Sequence, residues 1–184
     1  MRKLIFAINI TPDGFCDHRA VVADTEHHQF ANDLLHEADL VLFGSNTYQL
    51  FENYWPIAAK KLSGPKTERE FARLITNVDK IVFSTTLQTT LWKNTSILDS
   101  IKKSVIQELK QQEGKDIVIF GSPKVASQLM ALGLIDTCYY SIQPMIWGEG
   151  KRFPEFYDTL KQQNLKFVSS RVFKSGVVTL CYEM

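Results

Sequence analysis

Glycine and small hydroxyl residues directly follow three apolar runs of the chain. They are Gly44-Ser45-Asn46-Thr47, Ser84-Thr85-Thr86 and Gly121-Ser122. Each group on its own is also typical of ordinary turns and helix caps. If the three runs are neighbouring parallel strands, however, their ends meet at one sheet edge, where α/β sheets bind ligands. Hydroxyls and backbone N–H groups with little charge predict a pyrophosphate or nucleotide ribose there.

The segment 116–150 contains the clearest supersecondary unit. Ile117–Phe120 is an apolar, β-branched run, and Ser122 and Pro123 are residue types that cap and open helices. Helical spacing of apolar residues follows, and an extended pattern resumes at Ile135. We therefore predict a parallel βαβ unit with Ser122 as the helix cap.

Strand and helix patterns alternate along the rest of the chain. The predictions are a strand at 3–9, helices at 24–37 and 99–112, a short helix from 45, a flexible flap at 52–67, a helical turn at 71–75 and a hairpin at 165–182. This order predicts a single domain over 1–184 with a three-layer α/β/α fold. Its sheet is mixed and mostly parallel, with a C-terminal antiparallel β-hairpin.

Composition limits the partners of the protein. A net charge of +1 over 184 residues, with no basic run, argues against nucleic acid. No apolar segment is long enough to span a membrane. Cys16, Cys138 and Cys181 are odd in number and lack zinc-ligand spacing with any histidine, which favours a reducing, cytoplasmic compartment.

The order of these motifs resembles the dihydrofolate reductase-like superfamily. The similarity is greater to its bacterial branch, which includes the reductase (C-terminal) domain of the bifunctional riboflavin biosynthesis enzyme. The matching pieces are Thr11–Phe15, Ala38–Tyr48, Phe83–Thr86, Phe120–Ser122, Gly133–Asp136, Pro144 and Gly148–Gly150.

The resemblance implies an NADPH-dependent reductase whose cofactor lies across the strand-end loops. Gly44, Ser45, Asn46 and Thr47 would contact the pyrophosphate, with Thr47 capping a helix. Ser84 and Thr85 would face the adenosine, while Gly121, Ser122, Lys124 and Val125 would cover the diphosphate and nicotinamide ribose. Ala7 and the region 13–15 would approach the nicotinamide.

Some positions depart from the family pattern. Relatives often carry basic residues for the 2′-phosphate of NADPH where this chain has Ser45 and Thr85, so NADH is a possible cofactor, with Lys66 or Lys80 as compensating cations. Phe120 and a single following glycine also depart from the riboflavin enzymes. The substrate is therefore expected to be a small heterocycle, either pterin-like or 5-amino-6-(5-phosphoribosylamino)uracil-like.

Either a carboxylate or a water molecule is expected to supply the proton. Glu26 stands four residues before Phe30, a spacing that resembles the catalytic acid of dihydrofolate reductases, and Asp24 is nearby. Both positions also suit an ordinary first helical turn. Asp13 is a third catalytic candidate, with a turn before Gly14 as its structural alternative.

Other assignments stay open at this level. His27 and His28 are expected on the surface, since neighbouring helix positions point in different directions. Trp55 and Tyr48 suit stacking on a heterocycle or core packing equally. The resemblance implies a homodimer. The alternative to a reductase is a non-catalytic nucleotide-binding module or dimeric scaffold that kept the fold.

Overall fold

An eight-stranded sheet runs through the protein and carries helices on both faces. The structure is a computed structural model that describes residues 1–61, 63–153 and 162–184. The strands are β1 (Leu4–Ile10), β2 (Ala38–Gly44), β3 (Asp79–Phe83), β4 (Thr95–Leu98), β5 (Asp116–Phe120), β6 (Thr137–Ile142), β7 (Lys166–Val172) and β8 (Val178–Glu183). The helices are α1 (Thr25–His36), α2 (Ser45–Ala58), α3 (Lys66–Asn77), α4 (Lys103–Gln111) and α5 (Pro123–Ala131).

The sheet is parallel except at its C-terminal hairpin. The strand order is β4-β3-β2-β5-β1-β6-β8-β7. Strands β1 to β6 pair in parallel, whereas β8 is antiparallel to β6 and β7 is antiparallel to β8. The predicted mixed, mostly parallel sheet with an antiparallel hairpin is confirmed.

Alternation of side chains along the strands separates two cores. On one face, residues such as Phe6 and Ile119 pack with Ile106 of α4 and Leu129 of α5. On the other face, Val41, Phe43 and Val118 are among the residues that pack with α1, α2 and α3. Because successive strand residues point to opposite faces, the apolar runs of β2 and β5 bury both sides. This arrangement confirms the three layers.

The expected flap and the neighbouring helices differ from the prediction. Residues 52–58 continue α2, which contains Pro56 in its last turn, so the Trp55-Pro56 pair does not mark a loop. Residues 59–61 and 63–65 of the expected flap lie between α2 and α3, and residue 62 lies outside the described residues. The predicted turn at 71–75 lies inside α3, whose buried face includes Phe71 and Ile75. Tertiary packing of apolar faces outweighs the local breaker signal here.

The region before α4 was also mispredicted. Strand β4 was missed because it has only four residues and includes Thr95 and Ser96, while the predicted helix at 99–112 begins at Lys103. Residues 99–101 therefore form a loop after an edge strand. This difference matters for the site, since that loop follows β4 at the same edge as the ends of β3 and β2.

Candidate functional site

The ends of β3, β2 and β5 lie side by side and open into a polar cleft. Gly44 pairs with Phe83, and Leu42 pairs with Ile119, so the three carboxyl ends fall at one edge of the sheet. The cleft has a volume of about 360 Å³. Its lining includes Gly44, Ser45, Asn46, Thr47, Ser84, Thr85, Asp99, Ser122, Lys124, Val125 and Lys151. We call this the polar half.

A larger cleft continues from the polar half across the sheet. It has a volume of about 800 Å³ and is lined by Ala7, Ile8, Asp17, His27, Phe30, Phe51, Trp55, Phe71, Phe120 and Gly121, among others. Asn46, Thr47, Ser122, Pro123 and Lys151 line both parts. We call this larger part the apolar half. The predicted cofactor-binding residues line one half or the other, except for the region 13–15, which lines neither.

Ser122 joins the turn after β2 to the turn after β5. The Gly44 N–H donates to Ser122 Oγ at 3.0 Å, and the Ser122 N–H donates to Thr47 Oγ1 at 3.2 Å. Ser122 has a left-handed φ of 52° and makes no side-chain cap of α5. Ser122 is the N-cap residue of α5, as predicted, but its hydroxyl accepts from the turn after β2 instead of from α5. The predicted cap by Thr47 is wrong, because Gly44 is the N-cap residue of α2 and the Thr47 hydroxyl accepts from the turn after β5.

Close backbone approach explains the glycine at the end of β2. A Cβ atom on Gly44 would lie 3.2 Å from Val125 Cγ2 of α5. That spacing is tighter than an ordinary van der Waals contact, so a larger residue at this position would require the Val125 side chain to shift. Gly121 has a φ of 57°, and its N–H donates to the Ala7 carbonyl at 2.8 Å. The turn is thus held against β1 as well as β2.

The starts of α2 and α5 suit an anionic ligand. Neither helix has a side-chain cap at its first turn, so its leading N–H groups keep their hydrogen-bonding capacity. Residues from both first turns line the polar half, together with the cations Lys124 and Lys151. Uncapped N–H groups and the helix dipoles favour phosphate oxygens. The arrangement fits a dinucleotide diphosphate.

The carboxylates expected to be catalytic do not line either half. Asp13 accepts the N–H groups of Trp147 and Gly148 at 3.1 and 2.8 Å. Asp24 is the N-cap of α1 and accepts from the His27 N–H at 2.8 Å. Glu26 accepts from the Lys174 N–H at 2.7 Å. Each carboxylate has a structural role, and a catalytic one stays a prediction.

Asp17 is a carboxylate that sequence reasoning missed. It lines the apolar half, and its side chain is 14% exposed. Arg19 donates to it through Nε at 3.0 Å and through a terminal nitrogen at 2.7 Å, which lowers the pKa of Asp17 to about 2. The close spacing of Asp17 and Arg19 in the sequence is the signal that could have indicated this ion pair. Asp17 is ionised at neutral pH and cannot donate a proton there.

His27 and His28 line the apolar half, so their predicted surface placement is wrong. Burial lowers the pKa of His27 to about 4, and the nearby His28 acts in the same direction. The Nδ1 atom of His27 is buried without a hydrogen-bond partner. His28 contacts the Asp24 carbonyl through Nδ1 at 2.9 Å. His27 is therefore a neutral imidazole at pH 7.

The remaining expectations separate into cleft and core positions. Trp55 lines the apolar half, whereas Tyr48 is fully buried beside Phe43 and Trp92. Lys80 is 1% exposed, and its Nζ donates to the carbonyls of Val78 and Thr76. It cannot compensate for a missing phosphate ligand. The side chain of Lys66, at the start of α3, is not part of the described lining of either half.

The described part of the chain contains neither a metal-binding cluster nor a membrane-spanning helix. Over residues 1–61, 63–153 and 162–184, no group of three or more His, Cys, Asp or Glu side chains is placed to hold a metal ion. Within the same ranges, no helix has the length and apolar character needed to cross a membrane.

The sequence matches the RibD C-terminal domain over residues 2–179. The chain belongs to this family. It is 33% identical over 188 residues to the uncharacterised protein YyaP of Bacillus subtilis (strain 168), covering 98% of this chain and 94% of that relative. The RibD C-terminal resemblance inferred from the motif order is confirmed.

Solved structures with the same fold match this chain over almost its whole length. A putative riboflavin biosynthesis protein from Shewanella sp. PV-4 has a TM-score of 0.70 at 14% identity, covering 98% of both chains. A pyrimidine reductase-like protein from Corynebacterium diphtheriae has a TM-score of 0.68 at 16% identity, covering 99% of this chain and 91% of its own.

A larger enzyme shares the same fold in part of its length. It is the diaminohydroxyphosphoribosylaminopyrimidine deaminase/5-amino-6-(5-phosphoribosylamino)uracil reductase of Thermotoga maritima, with a TM-score of 0.66 at 18% identity. The match covers 99% of this chain and 56% of that one. At these identities the likeness to solved structures shows the fold alone.

Replacement of Ser122 tests the link between the two turns. Ser122→Ala removes the acceptor of the Gly44 N–H, and we expect a loss of about 1 to 2 kcal/mol in the free energy of unfolding. Ser122→Gly loses the same acceptor but relieves the positive φ, which recovers about 1 kcal/mol. Urea denaturation should give a larger free energy of unfolding for Ser122→Gly than for Ser122→Ala. An Ala variant as stable as the Gly variant contradicts the left-handed backbone.

His27 predicts a specific pH dependence of stability. Its pKa in the folded state is about 4, below the ordinary value of 6.5. Between pH 7 and pH 5 the unfolded chain binds this proton and the folded chain does not, so the free energy of unfolding falls. We expect wild type to lose about 1 to 2 kcal/mol more over this range than His27→Gln.

Urea denaturation at pH 7 and pH 5 measures this difference, because pH effects of other groups are common to both proteins. The matched control is Leu91→Gln, since it introduces the same residue type at a position that is 98% exposed and removes no titratable group. Its pH dependence should follow wild type. Identical curves for wild type and His27→Gln would show that His27 is not desolvated.

Proposed function

We propose that the protein is an NAD(P)H-dependent reductase that transfers hydride to a small heterocyclic substrate. The observation that carries this proposal is the continuous cleft, in which uncapped helix starts and hydroxyl residues adjoin an aromatic cavity. Membership of the RibD C-terminal domain family supports it. So do the reductase names of the Corynebacterium and Thermotoga proteins of the same fold.

The polar half would hold the dinucleotide. Backbone N–H groups at the starts of α2 and α5 and the Lys124 side chain would bind the diphosphate, while Ser84 and Thr85 would face the adenosine. A bound nicotinamide would supply the hydride. Gly121, Ser122 and Ala7 line the border with the apolar half, so they would position the nicotinamide against the substrate.

Water is the proposed source of the proton. Arg19 keeps Asp17 ionised, and burial keeps His27 neutral at pH 7. Asp13, Asp24 and Glu26 lie outside the described lining of the cleft. Reductases of this kind depend mainly on positioning of the reactants and exclusion of bulk solvent. A water molecule in the apolar half would therefore be enough to supply the proton.

Direct titration with NADPH and NADH tests the proposal. We expect saturable binding of both by calorimetry, and Lys124→Ala should weaken both by about three- to tenfold because both carry a diphosphate. Lys174→Ala, at an exposed position outside the described lining, is the control and should bind as wild type does. Absence of saturable binding by either nucleotide would reject the proposal. Binding without any turnover would favour the non-catalytic module.

The choice between the two nucleotides is also testable. Neither Ser45 nor Thr85 offers a cation to a 2′-phosphate, and Asp99 lines the same half. Thr85→Arg should therefore raise the ratio of NADPH to NADH affinity by about tenfold or more, through a charge-assisted bond to the extra phosphate. Thr89→Arg, exposed but outside the described lining, should leave the ratio unchanged. An unchanged ratio in Thr85→Arg would place the adenosine elsewhere.

A further inference from the structure

Aromatic rings dominate one side of the apolar half. We call the set Phe51, Trp55, Phe71 and Phe120 the aromatic wall. Trp55 and Phe71 have ring centroids 4.6 Å apart at 67°, and Phe71 and Phe120 are 5.9 Å apart at 78°. Edge-to-face contacts of this kind fix the rings and their exposed faces. Helices α2 and α3 and strand β5 therefore present a rigid apolar surface to the cavity.

Several polar side chains that line the apolar half already have partners within the protein. Asn9 Oδ1 accepts from Gln143 Nε2 at 3.0 Å. The hydroxyls of Ser141 and Thr179 contact each other at 2.9 Å. Because these groups are satisfied, a ligand gains little by hydrogen bonding to them. The cavity thus offers the aromatic wall as a main contact, beside the unpartnered Nδ1 of His27.

Fixed charge is scarce in the same cavity. Within the described residues, its lining contains no arginine, and Asp17 and Lys151 are its charged groups beside three histidines, His18, His27 and His28. The negative charge of Asp17 is balanced by the two-point contact with Arg19, and Lys151 stands where the polar half begins, since it lines both halves. Phosphate and sulfonate groups are ordinarily held by arginine forks or lysine clusters. An anionic substrate would lose its hydration here without compensation.

We propose that the apolar half accepts an uncharged, planar, conjugated carbonyl or imine compound, and that it discriminates against acceptors that carry a phosphate or sulfonate. This inference rests on the proposed reductase function and narrows its substrate class. The flat molecule stacks on the aromatic wall and presents its electrophilic carbon toward Ala7 and Gly121, at the border with the polar half.

The reduction of such an acceptor balances in atoms and electrons with the reduced nicotinamide and water as the other reactants. For a quinone, the hydride forms a C–H bond at a conjugated ring carbon, the displaced π electrons move to a carbonyl oxygen, and water protonates that oxygen and is left as hydroxide. The product is a keto tautomer, which becomes the hydroquinone when the new C–H carbon loses a proton and the second carbonyl oxygen gains one through water. The reduced nicotinamide becomes its oxidised form. No other oxidant or reductant takes part.

A matched pair of probes tests the selectivity. They are 1,4-naphthoquinone and 1,4-naphthoquinone-2-sulfonate, which differ by one charged group. Quenching of tryptophan fluorescence gives the dissociation constant of each without cofactor, and oxidation of NAD(P)H gives kcat/KM after subtraction of the uncatalysed rate. We expect the uncharged quinone to bind at least tenfold more tightly and to have the higher kcat/KM, although the sulfonate is intrinsically the stronger acceptor.

A charge introduced at the rim should invert this preference. Leu50 lies on α2, lines the cavity and is 44% exposed, so Leu50→Arg is compatible with folding. It should raise the relative affinity for the sulfonate at least tenfold. Ile57→Arg is the control, because Ile57 lies on the same helix, is 61% exposed and is outside the described lining. That variant should keep the wild-type ratio.

The wall itself is tested by Trp55→Ala and Trp55→Phe. The alanine variant should lose about tenfold in affinity for the uncharged quinone, measured by calorimetry, and the phenylalanine variant should keep most of it. Retained affinity in a folded Trp55→Ala protein would overturn the stacking role of the wall.

The binding readout separates this inference from the proposed function. Selective binding of the uncharged probe in a protein that fails to bind NAD(P)H would reject the reductase and keep the ligand class. Equal or tighter binding of the sulfonate, or no saturable binding of either probe, would overturn the inference even in a protein that binds both nucleotides.

Discussion

The pair of hydrogen bonds that Ser122 makes with the turn after β2 is the interaction on which the cleft depends. Strands β2 and β5 are neighbours, but pairing along the strands does not fix the loops beyond them. The Ser122 hydroxyl and N–H, bound to Gly44 and Thr47, set the distance between the first turns of α2 and α5. The left-handed φ of Ser122 turns both of its polar groups toward β2.

This link also explains why the two halves of the cleft differ in chemistry. On one side of it, helix starts and hydroxyls face the cavity, and their leading N–H groups lack side-chain caps. On the other side, many polar groups are bound internally and aromatic rings face the cavity. A molecule with an anionic part and a flat conjugated part matches both environments, and the residues shared by the halves mark the boundary.

Much of the fold could be predicted because the apolar runs are long and end in distinctive residues. The βαβ unit at 116–150 and the parallel strand ends at Gly44 and Phe83 followed from pattern alone. Short or conflicting signals were less informative: β4 alternates weakly, and Pro56 suggested a loop inside a helix. In the site, turn residues were predictable because their type reflects backbone geometry. The desolvation of His27 depends on elements distant in sequence, so no local pattern indicates it.

The position of β5 has a consequence for synthesis of the chain. Strand β5 lies between β1 and β2, although about a hundred residues separate it from β1 along the sequence. A nascent chain that ends before Asp116 lacks the strand that joins β1 to β2, so one edge of β2 and both edges of β1 stay unpaired. Unpaired apolar edges are where growing chains associate wrongly. The ribosome-bound intermediate is therefore prone to aggregation until β5 covers the edge of β2 and one edge of β1, and β6 then covers the other edge of β1.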